Sequence, residues 1–470
     1  MAGAVLAVAG CSASCYYRLL PVLPPAAFAA GRWLSTVSAP TEVPPRSPSQ
    51  EWLSARPFEE IPGPKKLPIV GGLLNFLPKF GETAKKDSIE VVQAIRDYYG
   101  DIVKLDGFPG KPTVVMLFNA DDIEKAFRNE GQFPMRSGND STMYYRKHVR
   151  PDWFRGRYGL VGTQEEEWYD FRRKVNQAML QPRSAKLYVG PIDQVAEDFV
   201  NRMVQLRDEK QQMPDDFLNE LCKWSLESVS LVALDSRLGC LEPNLPADSE
   251  PQKMIDAVQF ILDATFKLEF RLSPWKLIST PTWRRYVKAL DFFYVTSMRH
   301  INAAMDRIKA KGENCTGESS VLERLLLQND DPGVACVMAL DMMFAGVDTT
   351  SNAAAACLYY LSKNPEAQQR LFEEVYAQLP ESQSQPLTAS KLEECRYLRA
   401  CFREAMRLKP IAPFNVRRCV VDNLVLSGYR IAKGIIRRFR VELHNDVAWR
   451  TALIHQAASP LKFKVIDRNV

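Results

Sequence analysis

One apolar stretch, from Gly333 to Ser362, constrains this 470-residue chain more than any other feature. Asp330, Asp331 and Pro332 supply a helix start, and Asn364-Pro365 supplies a stop. About 30 residues at about 1.5 Å each make a helix about 45 Å long, the width of a domain. It is apolar on nearly every side, which places it through the middle of a core. The remaining elements have to pack around it.

The centre of that helix reads Ala345-Gly346-Val347-Asp348-Thr349-Thr350. A glycine there costs about 1 kcal/mol relative to alanine. A buried carboxylate is unfavourable unless paired. The hydroxyls of Thr349 and Thr350 can bond back to the carbonyls of Ala345 and Gly346 and bend the helix. Two readings fit. One is a Gly-Thr kink that eases helix packing. The other is a widened groove that holds a small ligand beside a proton-relaying acid and a hydroxyl.

The chain before this helix has several compositional blocks. No Asp or Glu precedes Glu42, and Arg18 and Arg32 stand among Ala, Ser and Leu. That is the pattern of a mitochondrial transit peptide, expected over residues 1–45. A secretory signal or a membrane anchor are the rival readings. They lack support: Met1–Tyr17 is uncharged but includes Ser and Cys and lacks a basic n-region, and there is no clean 18-residue apolar run. Residues 46–64, rich in Pro and Ser and ending Pro62-Gly63-Pro64, read as a stiff linker. The net charge of +5 is mild and argues against nucleic-acid binding.

Residues 88–99 and 121–129 read as helices, and 101–105 with 112–118 as a β-hairpin. From Glu165 to about Met406 helix follows helix, with breaks at the proline-rich points. The last 60 or so residues return to strand-like patterning. The fold class is therefore mainly α with a small β part. The ten cysteines form no CxxC pair and the four histidines no HExxH, so neither a zinc site nor a disulfide framework is indicated.

Two further patterns carry chemistry. Trp168 and Arg172 lie i,i+4 on one helix face and together could clamp a carboxylate. Glu404 and Arg407, at i,i+3, can form an ion pair, trivial on a surface and a rigid lock in a core.

Taken in order, AGVDTT at 345–350, ExxR at 404–407, WxxxR at 168–172 and the Pro-Gly-Pro entry resemble a cytochrome P450 over residues 58–434. The leader, together with Arg399 and Arg403, resembles the mitochondrial class, and the texture is similar to its insect branch. The resemblance implies a haem b monooxygenase on the matrix side of the inner mitochondrial membrane. It would act on a small lipophilic substrate with electrons from a ferredoxin and its reductase. Thr349 would organise protons, with Asp348 as its acid partner. Ala345 and Gly346 would leave room for dioxygen. Trp168, Arg172 and Arg417 (or its neighbour Arg418) would hold haem propionates. Glu404 and Arg407 would form the structural lock. Arg399 and Arg403 would dock ferredoxin.

The resemblance then breaks. The family places a cysteine thiolate on the iron within a Gly-rich loop after ExxR. Here the only cysteine after Arg407 is Cys419, in a strand-like stretch without those glycines. Residues 424–434 look like the family's strand segment, 435–441 like the end of the helix after the cysteine loop, and 460–464 like the closing strand. The expectation is a domain over 65–434, a remnant over 435–470, and a missing block between Gly434 and Ile435. The P450 fold is then incomplete at its haem-binding end, no metal ligand is identifiable, and the chain is inactive as written. A skipped exon or a mis-assembled gene would produce this.

Overall fold

A computed structural model describes residues 49–64, 88–105, 113–136, 139–180, 182–270, 273–311, 320–379, 387–412, 414–417, 424–431, 436–439, 449–451 and 455–457. The expected leader lies outside the described residues, as do Cys419, the 434–435 junction and residues 460–464. The fold is mainly helical, with short antiparallel strand pairs, as expected.

After a short helix at Gln50–Ser54 come α1 (Ser88–Tyr99), the hairpin β1 (Ile102–Leu105) and β2 (Val114–Leu117), and α2 (Ala120–Arg128). The hairpin register pairs Ile102 with Leu117. Short helical turns fill residues 139–162, among them a π-helical turn at Tyr145–Val149. Then come α3 (Glu165–Leu180), α4 (Val189–Leu206), α5 (Phe217–Leu234), α6 (Glu250–Phe270), α7 (Pro281–Lys311) and α8 (Val321–Gln328). The central helix is α9 (Pro332–Lys363), followed by α10 (Pro365–Gln378) and α11 (Arg396–Leu408).

The caps of α9 are those the sequence predicts. The Asp331 side chain accepts from the Gly333 amide at 3.0 Å, Pro332 takes the first helical position, and Asn364 ends the helix. The helix is long and apolar enough to cross a membrane, but most of its apolar window is buried inside the protein, where it serves as a core helix. Its Ala353–Ala356 run lets large side chains approach closely. Trp224 and Phe217 of α5 and Phe199 of α4 pack against Ala354 and Ala355. Gly346 does similar work. A Cβ there would stand 2.5 Å from a Val229 methyl of α5, so the absence of a side chain lets the two helices meet. The helix continues through this point without a break.

Two stretches differ from expectation. Residues 49–64 are not a spacer. Arg56 donates its amide to Gly428 O (2.9 Å) and accepts from Arg430 N (2.8 Å), and Ile61 is buried in the β-side core. The stretch holds a short helix at Gln50–Ser54 and a tight turn at Phe58–Glu60, and between them Arg56 bridges to Tyr429. Residues 436–439 do not form the end of a helix. They are strand β6, antiparallel to β3 (Phe414–Arg417), with Arg438 opposite Asn415. A segment of four residues is too short to sustain a helix, whereas a strand needs only a neighbour. Strand β6 also lies against β2. The pairs β4 (Leu424–Leu426) with β5 (Tyr429–Ile431) and β7 (Trp449–Thr451) with β8 (His455–Ala457) complete the described strands.

Candidate active site

One side of α9 at mid-length is left open. Ala345 is exposed and Thr349 only half-buried, at i,i+4 on a single stripe. The Thr349 hydroxyl donates to Ala345 O at 2.7 Å, the back-bond expected of it. Gly346 and Asp348 flank that stripe and turn toward α5, so the four residues do not share one face. Gly346 serves helix packing as described above, and its carbonyl accepts from Ser225 Oγ at 2.8 Å.

Asp348 is 2 % exposed. The Cys222 thiol donates to its Oδ1 at 3.8 Å, and its Oδ2 has no hydrogen-bond partner among the described residues. Burial pushes the carboxyl up to about 7, only partly offset by Cys222 and Gln259. Near neutral pH such a group can hold or release a proton. Among the described residues no hydrogen bond joins it to Thr349.

A second cluster forms at the start of α3. The Arg172 guanidinium lies 5.7 Å from the centre of the Trp168 ring, so the predicted pair shares one face. A third member was not read from the sequence. Arg136 lies 4.5 Å over the same indole. Gln164 puts it there, accepting from the Arg136 amide at 2.6 Å and donating to Gly162 O at 3.1 Å. Two guanidiniums on one indole make a site that favours a carboxylate. A cleft of about 810 Å³, lined by Phe133, Met143, Gln164 and Glu165 among others, borders this cluster and not the α9 stripe.

The remaining predicted residues lie elsewhere. Arg417 pairs with Glu130 and stacks 4.8 Å over Phe127, so the structure does not bring it to Trp168. Glu404 and Arg407 form the expected two-pronged pair at 2.7 and 2.8 Å, which holds the Glu404 carboxyl below its usual range. The pair is not buried: its side chains are 55 % and 48 % exposed. The expected core lock is a surface pair here, of the kind worth roughly 0–1 kcal/mol. Arg399 and Arg403 are both exposed on α11, one turn apart.

The chain matches the family model described as Cytochrome P450 over residues 61–439. It is 38% identical over 388 residues to "Probable cytochrome P450 301a1, mitochondrial" of Drosophila melanogaster, covering 82% of this chain and 70% of that one. It is also 38% identical over 394 residues to "Cytochrome P450 CYP12A2" of Musca domestica, covering 83% and 72%. "Probable cytochrome P450 12a5, mitochondrial" of Drosophila melanogaster gives 38% over 391 residues, 82% and 72%. The chain belongs to the cytochrome P450 family.

The family is one of monooxygenases, and it implies a haem. The Arg136–Trp168–Arg172 cluster suits the carboxylates at a haem's edge, and the open α9 stripe offers a flat approach. The axial ligand is another matter. Cys222 lies against Asp348 and Ser351 on the α5 side, and Cys336 against Met305. Cys357, Cys395 and Cys401 pack among α9, α10 and α11, and Cys240 beside Glu227. Burial pushes the Cys357 thiol up to about 12 and also raises Cys222 and Cys240, which keeps them protonated and poor ligands. Among the described residues no cluster of three His, Cys, Asp or Glu could hold a metal. The described side chains of this P450 fit the edge and one face of a haem, and not its axial position.

Proposed function

We propose that this chain derives from a mitochondrial P450 that inserts one oxygen atom into a small apolar substrate with electrons from a ferredoxin. We propose further that it lacks the block bearing the haem-ligand cysteine and is inactive as written. One observation carries both parts: an open Ala345–Thr349 stripe and a carboxylate cradle at Arg136, Trp168 and Arg172, with no described cysteine turned toward them. The sequence pattern supports the missing block: strand-like residues 424–434 are followed directly by 435–441, without the Gly-rich cysteine loop between them. On this reading α9 presents the substrate to its open face and Asp348 holds the proton supply. Titrating haem into the 470-residue chain and following its absorbance tests the cradle. Arg136→Ala and Arg172→Ala should each weaken uptake roughly tenfold, the usual loss of a charged hydrogen bond. Uptake unchanged in the double variant removes the assignment.

The acid-free leader and the relatives' names support import to the matrix side of the inner mitochondrial membrane. Leu277 and Ile278, 89 % and 65 % exposed beside Lys276, suit contact with a lipid surface. Import of a reporter fused to residues 1–60 by isolated mitochondria checks the compartment. Exposed Arg399 and Arg403 suit an acidic ferredoxin, upstream of which stands its reductase. Reversing both to Glu should weaken ferredoxin binding at low salt and flatten its salt dependence, because exposed charge steers such encounters. Equal affinity in low salt would dismiss this partner. A second reading is a catalytically dead isoform that only sequesters ferredoxin through the same face.

A further inference from the structure

Residues 139–162 are strapped to three helices by carboxylates. Glu269 of α6 accepts from Ser141 N at 2.5 Å, and Asp291 of α7 accepts from Tyr145 at 2.8 Å and from Arg150. The third strap is different. Arg146 and Asp341 meet at 2.6 Å with side chains only 6 % and 2 % exposed. Asp341 accepts in addition from Leu160 N at 2.9 Å, and Arg146 donates to Tyr158 O at 2.7 Å. Gly159, at φ +75°, is required here: a Cβ would run into both side chains. Arg146 sits in the π-helical turn, a distortion that recurs at functional sites.

Its position gives the pair meaning. Asp341, Ala345 and Thr349 fall at i, i+4 and i+8 on one stripe of α9, so Asp341 lies about 12 Å along the axis from Thr349. Beside Arg146 is a void of about 20 Å³, otherwise lined chiefly by Phe154, Val161, Leu290, Phe293, Leu340 and Phe344. That volume holds one oxygen-sized group. A guanidinium carries five N–H donors, of which Tyr158 and Asp341 take two among the described contacts.

We propose that Arg146 and Asp341 form a polar anchor at the far end of the substrate compartment. It takes the single neutral oxygen of a ketone, ester or alcohol on an otherwise apolar molecule whose reacting carbon lies about 12 Å away, by Thr349. The proposal rests on reading the α9 stripe as the reacting face. A neutral oxygen is selected over a carboxylate because Asp341 already balances Arg146. A second anion would enter a nearly dry site uncompensated.

The test is calorimetric titration of the full 470-residue chain with methyl decyl ketone and with dodecanoate, which needs no haem. The ketone should bind roughly tenfold tighter. Asp341→Asn leaves the Arg146 charge unbalanced, so dodecanoate should overtake the ketone. A preference unmoved by that substitution makes the pair a structural strap only and overturns the proposal, as does failure of both ligands to bind. If Asp341→Asn does not fold, Phe344→Trp decides. It fills the void and should weaken ketone binding about tenfold, and unchanged affinity places the ligand elsewhere and overturns the proposal. Failure here leaves the haem-uptake test standing, and a failed haem cradle leaves this binding preference measurable.

Discussion

Reduced under carbon monoxide, residues 46–470 expressed with a haem precursor are expected to show no thiolate-type band. The band needs a deprotonated cysteine on the iron. Every described cysteine is engaged within the protein and away from the α9 stripe, and those raised by burial hold their protons. Two histidines have partners of their own: His300 pairs with Glu250 at 2.7 Å, and His148 lies against the Tyr144 ring at 4.8 Å. Any haem retained should therefore give the spectrum of a five-coordinate or histidine-bound iron. A clean thiolate band would put Cys419 on the iron and refute the claim that the chain is inactive. Restoring a complete cysteine loop between Gly434 and Ile435 should bring the band back.

Asp348 should leave a signature in the pH dependence of stability. Its carboxyl is raised from an ordinary 3.8 to about 7 by burial. Between about pH 4 and about pH 7 the folded state keeps a proton that the unfolded chain has lost, so stability falls as pH rises through that window. The contribution is fully present below about pH 4 and gone above about pH 7, at most about 4 kcal/mol in all. Asp348→Asn has no such proton. Urea unfolding at about pH 5 and about pH 8 should therefore show wild type losing more stability than the variant across the interval. Parallel losses in the two proteins would show that the carboxyl is not raised, and would take from it the role of a neutral-pH proton holder.

Features governed by neighbours in sequence were legible before the structure. The caps of α9, the β1–β2 hairpin, the shared face of Trp168 and Arg172, and the Glu404–Arg407 pair all follow from spacing of a few residues. Features set by distant partners were not. Arg136 sits in a loop without periodicity, and Gln164, 28 residues on, holds its backbone amide within reach of Trp168. Arg146 and Asp341 are 195 residues apart, and neither carries a local signal. Residues 49–64 read as a linker because the Gly428 and Arg430 backbones that pair with Arg56 lie far down the chain. The spacing of Glu404 and Arg407 gives the pair but not what covers it. At 48 % and 55 % exposed, the pair is the weak surface case of the two that its spacing allowed.

The pairing of β6 with β3 bears on how the chain is handled once made. An unpaired strand edge is a template that recruits strands from other molecules. Ile436–Phe439 occupies one edge of β3 and reaches β2 on its other side. A ladder is formed by backbone amides and carbonyls, so any extended segment without proline at the bonded positions can fill the place. With Ile436–Phe439 in place, that edge of β3 is paired and offers no template to a strand of another molecule.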